Sequence, residues 1–174
     1  MCSFGHVADG ILDGEPALMC PGERFTSPPL AHQQACMHRR VARRRAVILT
    51  WDQDVLEGFW LVREYFPCIR DIDRPRAVAI ADIVEALGDS QVIAVPIPHD
   101  CVDGFLGAFW RRPEAYLDPR VRSGISSYAA MSPEERDERL SRLAADIHSG
   151  AREDQYRNLY DLDELDLGYR LIVA

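Results

Sequence analysis

The sequence predicts an α/β domain, and three observations carry that prediction. Continuous apolar, β-rich runs stand at Ala46-Val-Ile-Leu-Thr-Trp51, Gln91-Val-Ile-Ala-Val-Pro-Ile97 and Tyr169-Arg-Leu-Ile-Val-Ala174. Between them, apolar residues recur at helical rather than alternating spacing. The order over the middle of the chain is strand, helix, helix, strand, which is the grammar of α/β folds. The 174 residues suit one domain.

Residues 1–40 read differently from the rest and are expected to be irregular or disordered, separate from an ordered region at 41–174. Pro16, Pro21, Pro28 and Pro29 punctuate them together with Gly5, Gly10, Gly14 and Gly22, and neither structural period is sustained. Cys20, His32, Cys36 and His38 bring zinc-ligating residue types to this stretch. Their spacing lacks the paired C-x2-4-C pattern, and Cys36 and His38 are too close for two ordinary finger ligands, so no metal site is assigned.

Ala46–Trp51 reads as a buried strand covered on both faces, the parallel-sheet kind. Arg43, Arg44 and Arg45 before it fit a helix C-terminus better than a phosphate site. Asp52 and Asp54 then cap a helix carrying Val55, Phe59, Val62 and Phe66 on one stripe, ended by Pro67. A second helix is expected from Asp73 to Gly88, with Ile80, Ile83, Val84 and Leu87 as its buried stripe and Gly88 as its cap. Pro96 in the Gln91–Ile97 strand lacks a donor and places that strand at a sheet edge. Asp118-Pro119 starts a helix with Val121, Ile125 and Tyr128 on one face. Ser132-Pro133-Glu134-Glu135 is a capping box opening a helix whose stripe is Leu140, Leu143, Ala144 and Ile147, stopped by Gly150. Leu162–Leu167 is a turn-rich acidic lead-in to the last strand. It resembles a calcium loop only superficially, lacking the central glycine and closing glutamate of an EF-hand.

Composition narrows the function. The net charge of −8 argues against non-specific nucleic-acid binding. No apolar run reaches membrane-span length, and the first residues lack a signal-peptide pattern, so a cytoplasmic protein is expected. The 20 bases are all arginine, which excludes a catalytic lysine. The five cysteines include no CxxC pair, and reduced thiols are expected.

His99, Asp100, Cys101 and Asp103 crowd one turn. A histidine titrating near neutral pH beside a carboxylate can serve as a general base, so His99 and Asp100 are the candidate catalytic pair. The competing reading is a turn whose aspartates cap the following helix. Cys101 could be a nucleophile in a small unrelated α/β hydrolase or transferase, but no second histidine accompanies it, and an inert thiol fits better. Trp51 and Asp52 lie at the carboxyl end of the first strand, where α/β folds bind ligands. Asp52 is also sufficiently explained as a helix cap. Phe105, Phe109 and Trp110, with Tyr116, offer either core or an aromatic substrate pocket. Arg111, with Arg112, could clamp a carboxylate or simply lie at the surface.

The passage Arg39-Arg40-Val-Ala-Arg-Arg-Arg45-Ala-Val-Ile-Leu-Thr-Trp-Asp52 resembles the fourth-helix-to-fifth-strand passage of class I S-adenosylmethionine-dependent methyltransferases, of the small-molecule kind with a type 11 methyltransferase domain. Pro98–Pro119 resembles the substrate-side insert of one bacterial subgroup, and Asp163–Ala174 its last strand. The likeness covers about residues 39–174. It implies a partial Rossmann-like methyltransferase sheet whose three strands correspond to strands five, seven and six of the family. It also implies S-adenosylmethionine as methyl donor and a small organic molecule as acceptor.

The family's donor-binding half has a glycine-rich turn and a ribose-binding acid. No G-x-G occurs in this sequence, so no donor-binding residue is carried over. The expectation is a methyltransferase portion without activity by itself. Its open first strand would need a partner: a second copy or the missing half. The rival expectation is a non-enzymatic module completing another chain's sheet.

Overall fold

The computed structural model describes residues 45–174. The predicted irregular segment and its Cys20, His32, Cys36 and His38 cluster lie outside the described residues.

Among the described residues, five strands form two small antiparallel sheets. The larger contains β1 (Val47–Trp51), β2 (Gln91–Ala94) and β5 (Tyr169–Val173) in the order β1-β5-β2. β5 runs antiparallel to both neighbours, with Val47 opposite Val173, Trp51 opposite Tyr169 and Gln91 also opposite Val173. The last strand of the chain thus sits between two strands that share a direction. The second sheet pairs β3 (Ile97–Pro98) with β4 (Glu164–Leu165).

The first strand departs from the predicted double-sided burial. Val47 and Leu49 are 57% and 50% exposed, while Ile48 and Thr50 face inward. Among the described residues, no element packs over the Val47 and Leu49 face of the sheet. The opposite face packs on α3 (Ile80–Leu87), where Ile83 and Leu87 meet Ala46 and Ile172. The predicted strand at 91–97 is also shorter than expected. Pro96 cannot donate to a ladder, so β2 ends at Ala94 and the chain re-pairs at Ile97 in the second sheet. β2 is at the sheet edge, as Pro96 predicts.

The predicted helix after Asp52 is broken. Asp52 caps α1 (Gln53–Glu57) as expected, its carboxylate accepting from the Asp54 and Val55 N–H groups. Gly58 closes that turn, and Leu61–Tyr65 form a π-helical turn in which the Phe66 N–H donates to the Leu61 carbonyl at 2.9 Å. The wider turn buries Phe59, Trp60, Leu61, Val62, Tyr65 and Phe66 together, where a single helical stripe would bury about half of them. The predicted Asp73–Gly88 helix begins later, because Pro75 has no N–H to give. α2 (Cys68–Asp73) ends before it and α3 starts at Ile80. Gly88, at φ 78°, caps α3 as predicted.

After the second strand, α4 (Pro119–Ser123) and α5 (Ser126–Ala129) replace one continuous helix, separated at Gly124. α6 (Pro133–Ser149) is capped by Ser132, whose hydroxyl accepts from the Glu135 N–H at 3.2 Å, and ends at Gly150 in the left-handed region. α7 (Ala151–Gln155) follows directly. The principal core joins the π-turn, α2, α5 and α6 around Trp60, Trp110, Tyr116 and Leu143. No helix among the described residues is long and apolar enough to cross a membrane.

Candidate functional site

A cavity of about 330 Å³ opens where the Trp51 end of the sheet meets the helical core. β1 supplies Leu49, Thr50 and Trp51, and β5 supplies Tyr169. The segment after β3 supplies Phe105 and Leu106, and the α4–α5 junction supplies Gly124 to Ser127. The end of α2 and the turn after it supply Asp73 and Arg76. Phe105 meets Tyr169 edge to face, with ring centroids 5.0 Å apart. The Tyr169 hydroxyl accepts from the Gly107 N–H at 3.3 Å. This pair works only because position 107 has no side chain: a Cβ there would lie 2.8 Å from Leu167 Cδ1 and 2.9 Å from Tyr169 Cε2.

Asp73 is the charged group of the apolar part of this cavity, and only 8% of it is exposed. Ser127 Oγ donates to its Oδ2 at 2.8 Å, and Arg76 Nη1 reaches its Oδ1 at 3.5 Å. Burial pushes the Asp73 carboxyl above its ordinary value, with the bonds from Ser127 and Arg76 opposing part of the rise. A buried carboxylate on a mostly apolar wall is the pattern of a ligand-orienting or proton-accepting group. Asp73 and Ser127 escape sequence reading because they stand 54 positions apart. Within its own element, Asp73 looks like one of the acids ending a short helix.

A second cleft, of about 470 Å³, is lined by Trp51, Asp52, Gln53 and Asp54 and by residues 77–81. Trp51 lines both, and its buried indole N–H has no acceptor among the described residues.

The predicted site residues divide. Trp51 and Phe105 come together in the cavity, and Asp52 lies in the adjoining cleft as well as capping α1. His99 and Asp100 lie beyond β3, where the His99 N–H donates to the Asp163 carbonyl, and neither lines the cavity. Phe109 stacks edge-on to Tyr116 and carries the Arg112 guanidinium over its ring at 4.9 Å. Trp110 is fully buried; its indole N–H donates to the Ile97 carbonyl, and its own carbonyl accepts from Trp60 Nε1, both at 2.9 Å. Arg111 Nη1 donates to the Leu162 carbonyl at 2.9 Å. Among the described residues, no three His, Cys, Asp or Glu side chains gather to hold a metal.

Among solved structures, the chain is similar to a presumptive methyltransferase from an antibiotic biosynthesis pathway of Anabaena variabilis ATCC 29413. The two are 32% identical with a TM-score of 0.75, over 82% of this chain and 60% of the other. The fold is methyltransferase-like. The chain spans 60% of that neighbour's length. No family profile matches the sequence, and no curated protein matches it.

Proposed function

We propose that this chain is the acceptor-side portion of a class I S-adenosylmethionine-dependent methyltransferase acting on a small organic molecule. The observation that carries the reading is the β1-β5-β2 sheet, its last strand inserted antiparallel between the other two, with an aromatic-walled cavity at the carboxyl end of β1. That order is the one expected if β1, β5 and β2 correspond to strands five, seven and six of the family. The similarity to the Anabaena protein supports the same assignment.

The described residues do not fit the donor. A nucleoside sulfonium needs backbone exposed at a glycine-rich turn. Here the close-approach glycines serve the chain itself: the missing Cβ of Gly107 faces Leu167 and Tyr169, and that of Gly168 faces the Asp52 carbonyl. The role assigned to these residues is therefore to bind and orient the acceptor, and donor binding falls to the remaining portion of the enzyme. On this reading the 174 residues are inactive alone.

Two measurements test the proposal. Titration calorimetry of S-adenosylmethionine into the chain is expected to show no saturable heat, and micromolar binding would overturn the division of roles. Sequencing the DNA upstream of the Arg39 codon, read in all frames, is expected to reveal a strand, glycine-rich turn and helix. A frame without that pattern would favour a second reading, a sheet-completing interaction module. The bare Val47 and Leu49 on β1 favour that alternative. It requires a stable complex with another chain or a second copy, read by sedimentation.

A further inference from the structure

We infer that the cavity beneath Trp51 selects an acceptor built on an aromatic ring and carrying a free hydroxyl, which donates a hydrogen bond to the Asp73 carboxylate. The inference deepens the proposed function and rests on reading this cavity as the acceptor site.

Size and wall chemistry set the skeleton. About 330 Å³ suits a single substituted ring. Trp51, Phe105 and Tyr169 offer faces and edges against which a ring packs better than a sugar or a phosphate does. The polar corner sets the substituent. Asp73 is an acceptor, and Ser127 has already committed its only hydrogen to Asp73 Oδ2 at 2.8 Å. Both residues are buried, at 8% and 4% exposure, so the Asp73–Ser127 pair itself presents oxygen lone pairs and no free hydrogen, the donors of the cavity being the Trp51 indole and the Arg76 guanidinium on its other walls. A ligand reaching the pair must bring a hydrogen. A ligand carboxylate would place two like charges together out of water. The one cation, Arg76, holds Asp73 only loosely at 3.5 Å from a side chain that is half in solvent. It already offsets part of the Asp73 charge, so a neutral O–H suits the corner better than a second cation, whose desolvation in an apolar cavity is costly.

A site built to hydrogen-bond a hydroxyl rejects the analogue lacking it, because the site's own buried polar group is then left unpaired. The O-methyl ether has lost that hydrogen. The corner that holds the acceptor thus disfavours the product of the proposed reaction.

The test uses the 174-residue chain and four probes: 4-propylphenol, 4-propylanisole, 4-propylbenzoate and 4-propylbenzylamine. Binding is read by tryptophan fluorescence and by saturation-transfer NMR. The phenol is expected to bind tightest, about tenfold or more above the anisole, the gain expected of a hydrogen bond to a charged group. In Asp73→Asn, with folding checked by circular dichroism, the phenol-to-anisole ratio is expected to fall to about twofold or less. Ser127→Ala, which leaves Asp73 in place, is expected to keep the phenol preference. Tightest binding of the benzoate or the amine, equal binding of phenol and anisole, or no binding of any probe would overturn the inference. An Asp73→Asn ratio unchanged from that of the original chain would do the same. These readouts need no methyl transfer. If the phenol preference holds and the chain rejoined to a donor-binding portion still transfers no methyl group, the functional reading fails while the ligand assignment stands.

Discussion

Replacing Arg152 separates packing from charge in the heart of the helical core. Arg152 is 1% exposed, and no carboxylate among the described residues meets it. Its guanidinium lies 4.2 Å from the Trp60 ring centroid, with the Tyr156 and Tyr160 rings at 5.5 and 5.7 Å. Nη1 donates to the Tyr160 hydroxyl at 2.8 Å and Nη2 to the Trp110 carbonyl at 3.1 Å. Arg152→Ala removes this packing from a closed site, at a cost of about 3–5 kcal/mol. That corresponds to a fall in Tm on the order of 10 °C for a chain of this size. Arg152→Met keeps most of the volume. It gives up the cation–π contact, about 2 kcal/mol, and two charge-assisted bonds of about 1.5 kcal/mol each. In return it removes a buried, unpaired charge whose desolvation costs several kcal/mol. The Trp110 carbonyl keeps its bond from Trp60 Nε1 at 2.9 Å, so no acceptor is orphaned. Arg152→Met is therefore expected within about 2 kcal/mol of the original chain, and Arg152→Lys below it, since an ammonium cannot lie flat on Trp60 and fork to two acceptors. Thermal melts and urea midpoints of the three variants test this. A methionine variant as damaged as the alanine one would refute the reasoning and make the cation itself the stabilising element.

Asp73→Asn is expected to stabilise the chain at neutral pH while weakening ligand selection. Burial raises the folded carboxyl above its unfolded value of 3.8, so the folded state holds that proton more tightly. The contribution is thus full below the unfolded value and is lost as pH rises through the raised folded pKa. The variant should melt higher at pH 7, with the gap closing at acid pH; a gap that widens on acidification would reverse the sign. Gly168→Ala should cost about 3 kcal/mol, because a Cβ would lie 2.6 Å from the Asp52 carbonyl at φ 90°. Gly104→Ala, with open space around it, is the neutral control in the same denaturation series. Ser132→Ala should cost about 1 kcal/mol by uncapping α6, read as a shift in urea midpoint.

The parts of the fold that were legible in the sequence rest on local signals. Asp52, Asp118 and Ser132 cap the helices that follow them, and Gly88 and Gly150 end theirs at φ 78°. Three of the five described strands were readable from their apolar runs, although Pro96 splits the Gln91–Ile97 run between the two sheets. What escaped was set by distant packing. The π-turn at Leu61–Tyr65 exists because six neighbouring side chains find room in one core, which no helical period encodes. β3 and β4 are two-residue pairings between segments more than 60 positions apart. The cavity was half legible: of its lining, Trp51 and Phe105 were singled out in the sequence, whereas Asp73 and Ser127 become a unit only through the fold.

The molecule's two lobes differ in how fully they are covered. Around Trp60, Trp110 and Arg152 the core is closed, with both indole N–H groups bonded to carbonyls. Among the described residues, the sheet is covered on one face only. Val47, Leu49 and Ile93 leave apolar surface on β1 and β2, where an antiparallel sheet facing water would carry polar residues. The cavity lies at the seam of these lobes, and Leu49 belongs both to its wall and to the bare face. A second layer laid over that face would therefore also become a wall of the cavity. That geometry is what a division into acceptor-binding and donor-binding portions requires. On the proposed reading, the acceptor's polar group is held at Asp73 beside the helical core, and a layer laid over the sheet would finish the other side of the cavity.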